Sequence, residues 1–300
     1  MTTIAAIVRE RAGVSWSRAK ALCAEGRVTV DGERCLDPAR LVPPTANVEI
    51  APHGPKVEKG PLARGAIVFF DRDVVVVDKP AGMLSVADEP GNKDTLLDHT
   101  RTLLRRLDRS GGDGGLGVVH RLDRDTSGVI VFTRTAEAHR KLAALLRAHD
   151  LERAYHALAH GEVGEARIET YLLPDRGDGL RGSHGHYRHA RGEPPGEARL
   201  AVTHVRPLEV LAGCTLVECR LETGRQHQIR IHLAERGHPL LGEQVYIRDY
   251  PGPRFPASRT MLHARTLGFR HPRTGAPQRF EREAPRDFTD MVQRLRGKAT

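Results

Sequence analysis

The stretch HRLDRDTSG, residues 120–128, decides how this chain is interpreted. Apolar residues lie close on both sides of it, at positions 118–119 before it and 129–132 after it. Continuous apolar runs are typical of buried strands, and reactive groups are often held on loops by a rigid scaffold. The pattern therefore predicts a tight turn between two buried strands, with the carboxylate of Asp123 exposed on the turn.

The residues around Asp123 suit a chemically active carboxylate. Arg121 and Arg124 are close in sequence, and nearby cations favour the ionised form of a carboxyl group. An ionised aspartate can act as a nucleophile or a base at a sugar carbon. Thr126, Ser127 and Gly128 supply hydroxyls and the permissive backbone of a turn. A solvated turn with local salt bridges would explain an isolated string of this kind equally well.

Composition limits the class of protein. A length of 300 residues suggests two domains, and a hydrophobic content of 39% is enough for a sizeable core. No apolar run approaches the ~20 residues that span a bilayer, and the N-terminal apolar run is too short for a secretory signal. The four cysteines show no metal-ligand spacing and are too few for a disulfide scaffold. These features predict a cytoplasmic protein.

The charge of the chain favours a polyanionic partner. The formal net charge is +9 and the sequence pI is about 9.8. Residues 1–50 carry seven Lys/Arg against six Asp/Glu, a net of +1, whereas residues 246–300 carry twelve against five, a net of +7. The C-terminal segment is therefore predicted to contact a nucleic-acid backbone. An aromatic content of 4% argues against a platform that stacks successive bases.

Breaks in the pattern predict a small N-terminal domain over 1–50, a Pro/Gly-containing linker over 51–64 and a larger domain over 65–300. In the first domain, Ser15 or Ser17 can cap the second of two helices, and Asp31-Gly32 indicates a hairpin. The second domain mixes strands and helices without regular alternation, which predicts an α+β fold with a large, mostly antiparallel sheet. The segment 175–196 is polar and is predicted to be mobile.

Further strings accompany the aspartate turn, in this order along the chain: Asp78 to Gly82 (DKPAG), Arg153 to Tyr155 (RAY), residues 223–233 (TGRQHQIRIHL), residues 237–242 (GHPLLG) and residues 262–264 (LHA). With residues 120–128 they resemble the motifs of the RluA-type family of RNA pseudouridine synthases. The resemblance covers roughly residues 65–285. Several strings in family order are far more specific than any one of them.

The resemblance implies a pseudouridine synthase catalytic domain with a large mixed, mostly antiparallel sheet flanked by helices. It implies that Asp123 is the catalytic residue and that Arg230 pairs with it. Tyr155 would pack on the target base and could move a proton, and Arg121 would fill the space that the flipped uridine leaves. The three catalytic side chains should then meet in one cleft. Further substrate contacts are expected at Arg124, Thr126, Arg225, His227 and Gln228.

Three positions depart from the family pattern. Arg153 stands where Lys is expected, Gln226 where Thr or Ser is usual, and Glu243 where Asp is usual. None of them replaces the aspartate, the tyrosine or Arg230, so the resemblance still implies activity. The departures could bear on which RNA is bound.

The reaction implied is the isomerisation of uridine to pseudouridine. The N1–C1′ bond breaks, the uracil rotates, and a C5–C1′ bond forms. The sequence leaves two routes open, in which the carboxylate either traps C1′ covalently or removes the C2′ proton to give a glycal. No redox change and no external group are needed, so neither a cofactor nor a metal is implied. The target base must leave its helix to reach the aspartate, which costs a few kcal/mol.

The N-terminal domain resembles the small RNA-binding domain named after ribosomal protein S four. The matching residues are 17–20 and 25–32, and the resemblance implies phosphate contacts at Arg18, Lys20 and Arg27. An appended RNA-binding domain favours large-subunit ribosomal RNA over transfer RNA as the substrate. A monomer is expected, because no heptad seam stands out. The rival hypothesis is a non-catalytic RNA-binding or ribosome-assembly factor on the same scaffold.

Other sites are weaker hypotheses. Ser127 lies in DTSGV, which does not fit the Gly-X-Ser-X-Gly turn of a hydrolase. His184, His186 and His189 lack the helical spacing of a zinc site, so a solvated loop is the better interpretation. Asp123 and Asp125 could suggest the paired carboxylates of a glycosidase, but alternation points them in opposite directions.

Overall fold

A computed structural model describes residues 2–31, 33–35, 38–51, 62–88, 94–108, 115–186 and 192–297. The chain divides into two compact units, Met1–Pro61 and Leu62–Thr300. Most of the predicted linker, residues 52–61, lies outside the described residues. Among the described helices, none is long and apolar enough to cross a membrane.

The first unit is built from two short helices and five short strands. They are β1 (Thr2–Thr3), α1 (Ile4–Ala12), α2 (Trp16–Ala24), β2 (Val28–Val30), β3 (Glu33–Arg34), β4 (Leu41–Val42) and β5 (Val48–Ile50). The side chain of Ser15 caps α2 by accepting a hydrogen bond from the Arg18 N–H at 3.2 Å. Asp31 has a φ of 52°, the left-handed conformation of a two-residue hairpin turn, and β2 pairs with β3 across it.

The second unit holds the remaining eleven strands and four helices of the described residues. The strands are β6 (Ile67–Phe70), β7 (Val74–Lys79), β8 (Gly117–Val118), β9 (Ser127–Thr133), β10 (Glu152–His160), β11 (Ala166–Leu173), β12 (Gly182–Ser183), β13 (Arg199–Leu211), β14 (Cys214–Leu221), β15 (Leu262–Arg270) and β16 (Pro277–Glu281). The helices are α3 (Leu96–Leu107), α4 (Ala136–Arg147), α5 (Gln228–Glu235) and α6 (Arg286–Arg296).

The eleven strands form one sheet in the order β12-β11-β13-β14-β10-β15-β9-β7-β6, with β16 on β15 and β8 on β9. Its described strand pairs are antiparallel except β9–β15, which runs parallel and places His263 beside Ser127 and Ala264 beside Gly128. A Cβ on Gly128 would lie 2.2 Å from the Ala264 carbonyl oxygen, and φ there is +111°. Glycine is therefore required where the turn of Asp123 enters the sheet.

The burial of the strands next to the aspartate turn differs in part from the prediction. β9 is buried along its whole length and β7 nearly so, which fits central strands covered on both faces. β8 is only two half-buried residues, and β6 is an edge strand whose Phe70 is exposed, so the strand pair β6–β7 is not buried on both faces. α5 begins at Gln228, inside the recognised string 223–233.

The segment 175–196 is better ordered than predicted in its described part. Arg176 is buried and donates two hydrogen bonds to the carboxylate of Asp178. β12 pairs with β11, and the Ser183 N–H donates to Glu235 at 2.8 Å. Residues 187–191, including His189 of the weak zinc hypothesis, lie outside the described residues.

Asp71, Asp73 and His271 lie close enough together to resemble a metal-ligand cluster. Their polar atoms are already used by protein partners, however. His271 Nε2 lies 2.8 Å from Asp71, and the Arg273 guanidinium donates two hydrogen bonds to Asp73. The group acts as a salt-bridge network that joins the β6–β7 turn to the β15–β16 turn.

Candidate active site

The loop between β8 and β9 carries Asp123, and its backbone is fixed before the aspartate by one buried serine. Ser85 Oγ donates to the Leu122 carbonyl at 2.7 Å and accepts from the Leu122 N–H at 3.0 Å. The Thr126 N–H then donates back to the Asp123 carbonyl at 3.2 Å and closes the turn. The carboxylate itself projects from this turn and is 27% exposed.

Two buried cations hold the backbone after Asp123. Lys79 Nζ, which is 1% exposed as a residue, donates to the carbonyls of Arg124 at 2.8 Å and Thr126 at 2.7 Å. Arg259 donates to the Asp125 carbonyl at 2.8 Å, and Asp287 anchors it through two hydrogen bonds. Three successive carbonyl groups therefore point at buried positive charge. The turn has no freedom to swing the aspartate away.

Arg230 on α5 faces the carboxylate of Asp123, with its Nη1 3.5 Å from Asp123 Oδ2. Its Nε and Nη2 are held at 2.7 and 2.8 Å by Glu243, whose side chain is fully buried. Burial alone would lower the pKa of Arg230 and raise that of Glu243. Their mutual hydrogen bonds and charges reverse both directions, so the pair stays ionised. The two-point contact fixes the plane of the guanidinium.

His227 and Tyr246 complete this wall of the site. His227 Nδ1 lies 2.8 Å from the Tyr246 hydroxyl, and its Nε2 lies 3.9 Å from Asp123 Oδ2. Burial first, and then the Arg230 charge, lower the pKa of His227, so the ring is neutral at pH 7. The Tyr246 ring lies under the guanidinium of Arg230, at 5.3 Å from ring centre to carbon.

Tyr155 lies on the other side of the aspartate, on β10. It is 7% exposed, and burial raises its pKa, as does the charge of Asp123, while Arg153 acts in the opposite direction. Tyr155 therefore carries its proton at neutral pH. His120 Nε2 accepts from the Val131 N–H, and burial together with the charge of Arg153 lowers the pKa of His120 to about 3. The imidazole is a neutral acceptor.

Three cavities meet at Asp123. The balanced cavity, of about 250 Å³, is bordered by three carboxylates and three guanidinium groups: Asp88, Asp123, Asp125, Arg121, Arg124 and Arg230. The basic cavity, of about 450 Å³, is bordered by Asp123 and four arginines: Arg121, Arg147, Arg153 and Arg225. The tyrosine pocket, of about 50 Å³, lies between them and brings Asp123, Tyr155 and Arg230 together with the apolar Leu221 and Leu262.

Comparison with known proteins matches both units. The family model described as RNA pseudouridylate synthase matches residues 73–235, and the one described as S4 domain matches residues 5–48. The chain is 38% identical over 238 residues to the ribosomal large subunit pseudouridine synthase D of Zymomonas mobilis, covering 76% of this chain and 72% of that protein. The chain belongs to the RNA pseudouridylate synthase family.

Further similarities agree with this assignment. This chain, hereafter the synthase, is 35% identical over 304 residues to the protein of the same name from Pseudomonas aeruginosa. The alignment covers 94% of the synthase and 88% of the Pseudomonas aeruginosa protein. The solved structure of human RNA pseudouridylate synthase domain containing 4 aligns with a TM-score of 0.64 at 23% identity, covering 77% of this chain and 93% of that one. The family and the α+β fold predicted from the sequence are confirmed, and the synthase is an isomerase with an RNA substrate.

The structure brings most of the predicted site residues to one place. Asp123, Tyr155 and Arg230 border the tyrosine pocket, together with the predicted contacts Arg121, Thr126, Arg225, His227 and Gln228. Arg124 borders the balanced cavity instead and lies 3.8 Å from Asp88. Arg121 is exposed and borders all three cavities of the synthase.

Gln228 is the predicted substrate contact that the structure contradicts. Its Oε1 accepts from Thr223 Oγ1 and from the Arg225 N–H, and its Nε2 donates to the Val202 carbonyl and to Thr203 Oγ1. The residue is 2% exposed, and its amide group is engaged at both ends. Gln228 therefore fixes the loop before α5 to β13 and leaves no hydrogen bond for a substrate.

The RNA contacts predicted in the first unit are exposed to different degrees. Lys20 is exposed. Arg18 lies 3.1 Å and Arg27 lies 3.0 Å from the same carboxylate, Glu25, which offsets part of their charge. Trp16, which sequence analysis did not select, is 46% exposed and carries the Arg9 guanidinium 4.9 Å from its ring.

The C-terminal stretch 246–300 is less available to RNA than its net charge of +7 predicted. Many of its arginines are engaged with carboxylates of the protein, among them Arg259 with Asp287, Arg265 with Glu283, Arg273 with Asp73, Arg279 with Glu152 and Arg296 with Glu209. These pairs connect strands and helices. Other arginines of the stretch, such as Arg254, Arg270 and Arg286, are exposed.

Sequence reasoning also missed four residues that shape the site: Lys79, Glu243, Tyr246 and Arg259. Lys79 lies in the recognised string DKPAG, and Glu243 was noted only as a departure from the family pattern. A carboxylate placed just beyond the GHPLLG turn was the available signal for Glu243. Nothing in the local pattern around Arg259 indicates that it reaches across 134 positions to the aspartate turn.

Proposed function

We propose that the synthase converts specific uridines of large-subunit ribosomal RNA into pseudouridine, with Asp123 as the catalytic residue. The observation that carries the proposal is that Asp123, Tyr155 and Arg230 border one pocket. Asp123 lies on a turn whose backbone is held by the buried cations Lys79 and Arg259. The names of the relatives from Zymomonas mobilis and Pseudomonas aeruginosa favour large-subunit ribosomal RNA. Such a substrate is met in the cytoplasm, where buried thiols such as those of Cys214 and Cys219 would stay reduced.

The reaction begins when the target uridine leaves its helix and its uracil enters the tyrosine pocket. Arg121 is free to occupy the space left in the helix. Cleavage of N1–C1′ gives the sugar positive character, which the carboxylate of Asp123 stabilises. Asp123 either forms an ester bond with C1′ or takes the C2′ proton to give a glycal. The uracil then rotates and C5 bonds to C1′, while the ester bond to Asp123 breaks or the C2′ proton is returned to the glycal. C5 loses a proton and N1 gains one, so substrate and product are isomers.

The neighbouring groups have distinct tasks in this scheme. Arg230 lies 3.5 Å from Asp123, and its positive charge faces the carboxylate during bond breaking. Tyr155 packs against the uracil, and its raised pKa keeps the hydroxyl protonated at neutral pH, so it can donate a hydrogen bond. The first unit would contact the RNA backbone through Lys20, Arg18 and Arg27. No step requires a second copy of the chain, and we propose that the synthase acts as a monomer.

The test replaces the chromosomal gene by one encoding Asp123→Asn and maps pseudouridines in total cellular RNA by pseudouridine-specific chemical modification. The expected result is the loss of one or more pseudouridines from large-subunit ribosomal RNA alone. Asp125→Asn is the matched control, because it changes the adjacent carboxylate of the same turn. Loss of a transfer RNA pseudouridine instead would contradict the proposed substrate. Survival of every pseudouridine would contradict the role of Asp123.

A further inference from the structure

Arg153 is buried in an unusual way for a charged residue. It is 5% exposed on β10, two residues before Tyr155, and its Nε has no hydrogen-bond partner. Its Nη2 donates to the carbonyl of Glu222 at 2.8 Å. The carboxylate of Glu222 points elsewhere, to His204 at 2.5 Å and Arg167 at 3.6 Å. Within the described part of the chain, no carboxylate is paired with Arg153.

An unpaired buried cation is costly. Removing a charge from water costs several kcal/mol unless an opposite charge compensates, so buried charges are normally paired. Burial is the main cause that lowers the pKa of Arg153; Tyr155 acts in the opposite direction, and the nearby charge of Arg225 lowers the pKa further. A position that carries such a cost calls for a partner that arrives from outside the chain.

The space beside Arg153 is suited to an anion. Arg153 borders the basic cavity, whose described border carries four arginines against one carboxylate, a formal charge of 4 − 1 = +3. His120 adds no charge there, because its pKa is about 3. The balanced cavity on the other side of Asp123 carries three arginines and three aspartates, a formal charge of zero. The two openings to the aspartate therefore differ sharply in charge.

The absence of a side chain at Gly224 leaves the space that the Arg153 guanidinium occupies. A Cβ on Gly224 would lie 2.4 Å from Arg153 Nη1, so any larger residue would push the guanidinium aside. Arg225, the next residue, borders the same cavity. The loop thus leaves room for one arginine and supplies a second.

We propose that the basic cavity, with Arg153 as its buried anchor, is a phosphate subsite that takes a backbone phosphate of the RNA strand next to the target uridine. The ligand class is a phosphate ester of a nucleoside, which would give Arg153 its missing counter-charge beside Tyr155. The proposal rests on the proposed function, because it assumes that uridine enters at Asp123. A guanidinium can donate two parallel hydrogen bonds to two oxygens of one phosphate, which an ammonium group cannot match.

The test measures binding and does not depend on turnover. The full chain is labelled with ¹⁵N at arginine and titrated with uridine, uridine 3′-monophosphate and uridine 5′-monophosphate, while the Nε–H signals are followed by NMR. We expect one of the monophosphates to shift the Arg153 signal and to bind at least about 10-fold more tightly than uridine. Arg153→Met should abolish that difference. Gly224→Ala should reduce it without removing any charge. Arg270→Met, an exposed arginine at the far end of β15, should retain it.

Thermal unfolding separates this role from a structural one. If Arg153 is kept for a ligand, Arg153→Met should leave the Tm unchanged or raise it, because an uncompensated charge is replaced by an apolar side chain. A marked fall in Tm would indicate a structural arginine and overturn the proposal. Equal binding of uridine and both monophosphates, or an equal loss in Arg270→Met, would overturn it too. Phosphate-dependent binding combined with unchanged ribosomal pseudouridines in Asp123→Asn cells would refute the proposed function and leave the subsite standing.

Discussion

The two sides of the cleft around Asp123 use arginine in opposite ways. On one side, Arg230 and Arg259 each donate two hydrogen bonds to a carboxylate, Glu243 and Asp287 respectively. On the other side, Arg121, Arg153 and Arg225 border a large cavity in which Asp123 is the sole carboxylate of the described border. Paired arginines have a fixed geometry and can position a catalytic group. Arginines without carboxylate partners keep their charge available for a polyanion.

This comparison makes the paired side the sensitive one for catalysis. Arg230→Met should lower kcat by about 100- to 1,000-fold, because it removes the preorganised charge that faces Asp123. KM should change by only a few-fold, since the basic cavity is intact. Single-turnover kinetics on a transcribed ribosomal RNA fragment would measure both. Arg236→Met, at the exposed end of the same helix, is the control. A normal kcat in Arg230→Met would remove Arg230 from the mechanism.

A smaller effect on catalysis is expected from Arg259, which contacts the carbonyl of Asp125 on the aspartate turn. Arg259→Lys keeps the positive charge but cannot hold Asp287 at two points and also reach the Asp125 carbonyl. The turn should loosen, and kcat should fall by about 10-fold with little change in KM, together with a lower Tm. Arg270→Lys is the matched control. If KM rises while kcat stays normal, Arg259 belongs functionally to the RNA-binding side, and the division between the two sides fails.

The unpaired side can be tested through its dependence on salt. Arg147→Met removes one charge from the border of the basic cavity, so KM should rise by a few-fold. The slope of log affinity against log salt concentration should become shallower by roughly one unit or slightly less. Filter binding of the same RNA fragment at several salt concentrations measures the slope. An unchanged slope would mean that RNA does not pass over this cavity.

Acid should also destabilise the second unit, because several of its histidines are buried in the neutral form. Burial lowers the pKa of His232, behind Arg230, and of His263, which contacts Ser127, to about 4. The unfolded pKa is about 6.5, so below that pH the unfolded chain binds protons that the folded chain does not. Stability is therefore complete above pH 6.5 and falls toward pH 4, by about 2 kcal/mol per histidine between pH 7 and pH 5. Chemical denaturation at both pH values measures the fall, and His232→Gln should reduce its size.

The sequence predicts the family and the place of Asp123 well because those features are local. The turn 120–128, α4 and β10 each show their own pattern within a short window. The helix α6 was also readable, since Phe288, Met291, Val292 and Leu295 recur at helical spacing and are buried, although this pattern was not used. The long strand β13 was hidden, because Pro207 argues against a central strand; the structure places it at a bulge.

What could not be predicted are the contacts between distant parts of the chain. The net charge of residues 246–300 predicted an RNA-binding surface. A count of charges cannot show that Arg273 forms an ion pair with Asp73, or Arg296 with Glu209. Nor can it show that Arg153 lacks such a partner. The substrate contact predicted for Gln228 also depended on distant contacts that the sequence does not show. Its hydrogen-bond partners on β13 lie about 25 residues earlier in the chain.

The parallel pair β9–β15 has a consequence for how the protein is made. The aspartate turn emerges from the ribosome early, but the residues that finish it, Arg259 and Ala264, come more than 130 positions later. Until then, the carbonyl of Asp125 lacks its donor, and the start of β9 is paired with β7 on one side only. A nascent chain that stops before residue 259 thus carries the aspartate without the contacts that aim it. The geometry of the active site is complete only once residues 259–264 have been made.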